Sequence, residues 1–188
     1  MATIVDLDAT GGRIEQAATL LHDVFKARSS SWQTMEAARA EVIESFADDR
    51  ITRVALDPAG EVIGWVGGIS TYDGHVWELH PLVVAPSHQR RGIGTALVRD
   101  LEREVGRRGG MTLWLGSDDE HDETSVGGVD LYQDIAAAIR DLTKLRGDHP
   151  LPFYLRLGFK VVGLVPDANG TGKPDILLAK RVGRAVGG

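Results

Sequence analysis

Apolar residues recur along this chain with two periods, and the switches between them outline its elements. Thr3 to Leu7 alternates with a period of two, which predicts a short strand that Gly11 and Gly12 end. Ile14, Ala17, Ala18, Leu21, Val24 and Phe25 then recur at helical spacing, predicting a helix over about 13–26. A small-residue break follows, and Ser30 or Ser31 is suited to cap a second helix over 32–46. Residues 51–57 and 61–72 are β-rich and joined by Asp57-Pro58-Ala59-Gly60, a sequence with hairpin chemistry. Asp73-Gly74 marks the next turn, and a strand begins at Trp77, so an antiparallel meander is expected.

Ile93, Ala96, Leu97, Leu101 and Val105 form the apolar face of a central helix. Met111 to Leu115 predicts a buried strand, parallel to the Trp77 strand because a helix crosses between them. Residues 117–128 read as an acidic loop and 130–145 as a helix. A short helix follows Pro150 and Pro152 and ends at Gly158, a favoured C-cap residue. Residues 159–165 and 174–180 are the last strands. The order is that of a mixed α/β sheet with helices on both faces, in one domain over 1–188.

Composition narrows the chemistry. The 188 residues are 43% hydrophobic, enough for a real core, and contain no cysteine. Disulfides, thiolate metal sites and cysteine nucleophiles are thereby excluded. No apolar run approaches the ~20 residues of a membrane span. The N-terminus has no basic region followed by an apolar one, so no signal peptide is expected, and a cytoplasmic location is. A formal net charge of −6 disfavours a nucleic-acid partner and suits a cationic substrate.

The stretch WELHPLVVAPSHQRRGIGTALVRDLE, from Trp77 onward, carries most of the candidate chemistry. Strict alternation puts Glu78, His80 and Leu82 on one strand face and Trp77, Leu79 and Val83 on the other. Burying a carboxylate and an imidazole without partners costs several kcal/mol, so the first face is expected to line a cleft. Pro81 has no N–H for a ladder and implies a bulge. The bulge is expected to free backbone groups at Leu82, Val83 and Val84 for a ligand's amide. Gln89, Arg90, Arg91, Gly92, Ile93, Gly94 and Thr95 then lead into a helix N-terminus, where unpaired N–H groups and the helix dipole favour an anion. The run lacks the lysine of a P-loop and the third glycine of a dinucleotide fingerprint. In the acidic loop, Asp118 and Asp119 are candidate contacts for a polycation, and Tyr72 and Phe25 are candidate flat surfaces for a sugar ring. The loop lacks the glycine and closing glutamate of a calcium site, and no metal is expected.

Gln89-x-x-Gly92-x-Gly94, after a bulged strand and opening a helix, resembles the pyrophosphate motif of the Gcn5-related N-acetyltransferases (GNAT). WELHPLVV, LGSDD at 115–119, DLY at 130–132, HPLPFYLRLGFKVVG at 149–163 and NGTGKPDILLAK at 169–180 are similar to the aminoglycoside 6'-N-acetyltransferases of that superfamily. Lys26, Arg28 and the Thr171-Gly172 pair depart from that pattern. The resemblance implies a GNAT fold with a splayed strand pair, acetyl-coenzyme A as co-substrate, antibiotic resistance and a homodimer. It implies that Glu78 or His80, directly or through water, takes the amine proton. It also implies that the Leu82 N–H holds the thioester oxygen and that Tyr154 serves the leaving thiolate. A polyamine or a basic protein is the alternative acceptor, and a non-catalytic coenzyme A sensor the alternative class.

Overall fold

The computed structural model describes residues 2–9, 12–26 and 31–183. Arg28 and Ser30 therefore lie outside the described residues. Two compact units emerge, one of residues 1–113 with 182–188, the other of residues 114–181.

The first unit contains β1 (Thr3–Asp6), α1 (Arg13–Phe25), α2 (Met35–Glu44), β2 (Arg50–Leu56), β3 (Val62–Thr71), β4 (Val76–Val84) and α3 (Ile93–Arg107). The four strands pair in sequence order, all antiparallel, as the meander pattern predicts. Asp57 Oδ1 closes the β2–β3 turn by accepting from the N–H groups of Ala59 and Glu61. Trp65 and Val83 pack with Leu7, Ala17, Ala18, Leu21, Ala38 and Val42 in a core beneath α1 and α2. α3 covers the opposite face, where Gly64 and Gly68 leave room for it: a Cβ there would lie 2.9 Å from Leu97 and 2.8 Å from Leu101. Helix α3 buries Ile93, Leu97, Val98, Leu101 and Val105, while Ala96 is exposed. Asp100 is buried too, held by Arg53 of β2 at 2.6 Å and by Arg103 at 2.6 Å. The pairing keeps a charge tolerable in a core.

The second helix starts later than its serines suggest. Its N-cap is Thr34, whose side chain accepts from Ala37 N. Trp32 has a φ of 51°, in the left-handed region, and cannot begin a right-handed helix. Lys26 forms an ion pair with Asp23 at 2.7 Å.

The second unit holds most of β5 (Thr112–Asp118), α4 (Ile135–Arg140), α5 (Leu151–Arg156), β6 (Lys160–Val165) and β7 (Asp175–Arg181). β6 and β7 pair antiparallel. The long helix expected over 130–145 is a single six-residue helix. Asp130 turns the chain by accepting from Tyr132 N, Asp134 caps α4 by accepting from Ala137 N, and Ser125 and Thr143 exchange hydrogen bonds beyond it. Pro150 is the N-cap of α5 and Pro152 lies in its first turn, which needs no N–H from it. Gly158 follows α5 with a φ of 92°.

Candidate active site

β4 is bulged where Pro81 predicts it. Val66 pairs with Leu82 and Gly68 with Leu79, so His80 and Pro81 together face one β3 residue, Gly67. That extra residue reverses which side chains share a face. Trp77 and Leu79 lie on the α3 side, where Trp77 comes within 3.5 Å of a Cβ at Gly68. Val83, opposite Trp65, belongs instead to the core beneath α1 and α2. The polar face reverses in the same way. Glu78, opposite Ile69, lies on the α1–α2 side, and His80 reaches Trp32 and Glu41 there. Leu82, opposite Val66, turns to the α3 side. The expectation that Glu78, His80 and Leu82 form one face is thus corrected, because strict alternation does not survive a bulge.

The same register assigns the backbone groups. Ala85 N donates to Ile63 O, so Ala85·Ile63 and, by alternation, Val83·Trp65 are the hydrogen-bonded pairs. Leu82 and Val84 therefore direct their N–H and C=O groups away from β3. Gln89 Nε2 donates to Val84 O at 3.0 Å, closing the loop back on this edge. The expected trio of outward groups reduces to Leu82 and Val84, since Val83 is engaged within the sheet.

Around His80 the chain assembles a constellation that sequence reasoning missed. Glu41 Oε1 lies 3.8 Å from His80 Nε2, and Glu41 Oε2 accepts from Trp32 Nε1 at 3.3 Å. The Trp32 ring is 5.4 Å from the His80 ring and 5.0 Å from Phe25. His22 Nδ1 donates to Trp32 O at 3.0 Å, which helps fix the left-handed backbone. Glu78 is half-buried. Two carboxylates and an aromatic pair around one imidazole suit an acceptor that carries ammonium groups. A signal for Trp32 existed in the sequence: a large aromatic inside a small polar break just before a Thr N-cap.

The Gln89–Thr95 loop keeps an open helix end. Arg90 (φ 62°) and Gly92 (φ 83°) are left-handed, Gly92 is the N-cap of α3, and no side chain caps that end. Arg90 and Arg91 are exposed and form no ion pair among the described residues. Uncapped first-turn N–H groups beside two guanidinium groups have the chemistry to hold an anion. Ile93 is buried at the start of α3 and anchors the loop, while Gly94 and Thr95 are half-buried. Tyr72 is 78% exposed and its carbonyl accepts from His75 N.

Within the second unit, Tyr154 of α5 is 7% exposed and packs edge-on against Phe153 (5.0 Å) and Phe159 (5.6 Å). Burial pushes its hydroxyl well above the usual tyrosine range. Asp118 closes β5 and accepts from Asn169 Nδ2 at 2.6 Å. Asp119 is 1% exposed and builds the loop rather than its surface. Its oxygens accept from Glu123 N, Thr124 N and Thr124 Oγ1 at 2.7, 3.0 and 2.7 Å. Burial alone would raise its pKa, but these hydrogen bonds outweigh burial and hold the carboxyl below the ordinary aspartate range. Asp122 pairs with Lys173, and Glu123 accepts from Asp148 N. Much of the acidic run is therefore loop scaffolding.

A family model described as the acetyltransferase (GNAT) family matches residues 18–134. A Sodalis glossinidius (strain morsitans) acetyltransferase is 26% identical over 132 residues, 67% of this chain and 89% of its own length. The crystal structure of an aminoglycoside 6'-N-acetyltransferase complexed with coenzyme A is similar with a TM-score of 0.88 and 38% identity, covering 96% of this chain and 97% of that one. The aminoglycoside 6'-N-acetyltransferase from Enterococcus faecium gives a TM-score of 0.85 and 38% identity over the same shares.

Proposed function

Since the chain belongs to the acetyltransferase (GNAT) family, we propose that it moves the acetyl group of acetyl-coenzyme A onto the 6'-amine of an aminoglycoside, with both substrates bound together. Family membership makes it an acetyl-coenzyme A-dependent N-acetyltransferase of α/β GNAT fold. The acceptor is the inference. One observation carries it: 38% identity across 96% of the chain to an aminoglycoside 6'-N-acetyltransferase that binds coenzyme A.

The chemistry is direct. There is no cysteine to hold an acetyl group as a thioester. In the proposed route the acceptor amine attacks the thioester carbon, an N–C bond forms and the C–S bond breaks. Glu78 or His80, directly or through water, takes the amine proton. The outward N–H of Leu82 donates to the carbonyl oxygen as it gains charge. Tyr154, whose burial keeps its hydroxyl protonated, donates a hydrogen bond or a proton to the departing thiolate. The α3 N-terminus, with Gln89 to Thr95 around it, holds the pyrophosphate. The Trp32–Glu41–Glu78 surroundings of His80, Tyr72 and Asp118 receive the cationic acceptor.

Acetylation turns a cationic amine of the acceptor into a neutral amide, and expression of the chain is expected to confer resistance. The proposed enzyme is cytoplasmic and a homodimer, which light scattering of the purified chain tests. No described helix is long and apolar enough to cross a membrane. The functional test is thiol release from acetyl-coenzyme A across aminoglycosides, polyamines and basic peptides. Turnover confined to aminoglycosides supports the reading. Turnover confined to polyamines or peptides, or coenzyme A binding with no turnover, overturns it.

A further inference from the structure

We propose that Glu41 is a positioning residue for His80, holding its imidazole as the tautomer protonated on Nε2, so that Nδ1 carries the lone pair that receives the acceptor's proton. The inference rests on the acetyl-transfer reading above and goes beyond it in choosing His80 and one of its nitrogens. Three contacts on the α1–α2 side of β4 carry it. Glu41 Oε1 lies 3.8 Å from His80 Nε2. A carboxylate only accepts, so the nitrogen it faces is stabilised as a donor. The distance exceeds that of a hydrogen bond, and the preference is an electrostatic one between the carboxylate and the N–H dipole. Glu41 is itself held, because its other oxygen accepts from Trp32 Nε1 at 3.3 Å. Trp32 is fixed in turn: His22 Nδ1 binds its carbonyl, its φ of 51° is left-handed, and its ring sits between Phe25 and His80. An imidazole oriented by a carboxylate, with its second nitrogen open, is the logic by which bases are prepared in hydrolytic triads. Glu78 shares the strand face of His80 as the other carboxylate, but it is Glu41 that faces Nε2.

The test is a long-range 1H–15N correlation spectrum of the histidine rings in the 15N-labelled full chain, at a pH where imidazoles are neutral. The His80 signals are assigned by their loss in His80→Gln. The expected wild-type pattern is Nε2–H. In Glu41→Gln, which keeps the side-chain shape but offers an amide, the Nδ1–H form should gain population. kcat should then fall about 10- to 100-fold, the size of loss that removing the partner orienting a metal-bound histidine brings. KM for acetyl-coenzyme A and the melting temperature should stay unchanged. A wild-type Nδ1–H pattern, or a tautomer that Glu41→Gln does not move, overturns the inference. So does a loss in Glu41→Gln that appears equally in KM for acetyl-coenzyme A. The spectra need no turnover, so this failure is distinct from failure of the acetyl-transfer reading, which the acceptor panel reports.

Discussion

The carbonyl oxygen of His80 fills the space that a side chain at Gly67 would need: a Cβ there would lie 2.2 Å from it. The obstacle is backbone, which has no rotamer to yield. Gly67 is also the single β3 residue opposite His80 and Pro81. A glycine on one strand thus permits the bulge on the next, and the bulge sends Leu82 to one face and His80 to the other.

Gly67→Ala is accordingly predicted to cost on the order of 1–3 kcal/mol, the usual range for overpacking. Activity should fall further than stability, since the bulge sets both His80 and the outward Leu82 N–H. Urea unfolding beside kcat of the folded variant checks this. Full activity with unchanged stability would show that β4 tolerates a different register.

Tyr154→Phe removes a hydroxyl and keeps the ring against Phe153 and Phe159. The expected loss in kcat is about 10²-fold, the lower range for a general acid, with KM for acetyl-coenzyme A little changed. A pH experiment accompanies it. Burial raises the Tyr154 value above the ~10 of an unfolded tyrosine. Its contribution to stability is therefore full below that pH and lost as pH rises through the folded value. The other two tyrosines, Tyr72 and Tyr132, are 78% and 76% exposed, so the alkaline loss should become shallower in Tyr154→Phe. Denaturant melts from neutral to strongly alkaline pH decide it.

Asp119 leads to the opposite pH behaviour. Its carboxyl is held below the ordinary value, so its contribution is present above ~4 and lost as pH falls through the folded value. Asp119→Asn should cost about 1–3 kcal/mol at neutral pH, because amide hydrogens would meet donors from Glu123 and Thr124. Its stability should also vary less with acid than the wild type's. Unfolding midpoints at neutral pH and in mild acid measure both.

Arg91→Gln should raise KM for acetyl-coenzyme A several-fold with kcat nearly intact, since a ground-state phosphate contact is equally present in the transition state. The effect should shrink at high salt, because the guanidinium is exposed. Initial rates at two ionic strengths test it.

Much of this was legible in the residues. The meander, the bulge at Pro81 and the open helix end at Gly92 each have a local cause that sequence states directly. The faces of β4 were not legible, although Pro81 implied the bulge, because parity must be counted again after an inserted residue. Trp32 and Glu41 were hidden for a different reason. They meet His80 from a loop and a helix distant in sequence, and the pattern places Trp32 at the start of a helix that its left-handed backbone forbids. Asp119 reads as a surface charge until its donors, Glu123 and Thr124, are seen folded back onto it. Asp100 sits among the apolar residues of α3 because Arg53, 47 positions away, reaches it.

The acceptor itself is tested most directly by a matched pair of aminoglycosides that differ only at position 6', one with an amine and one with a hydroxyl. Thiol release from acetyl-coenzyme A is measured for both, and the product's acetyl group is located by mass spectrometry and NMR. The account predicts turnover of the amine, none of the hydroxyl, and the acetyl group on the 6'-nitrogen. Equal rates on the two compounds, or acetylation at another amine, would contradict it.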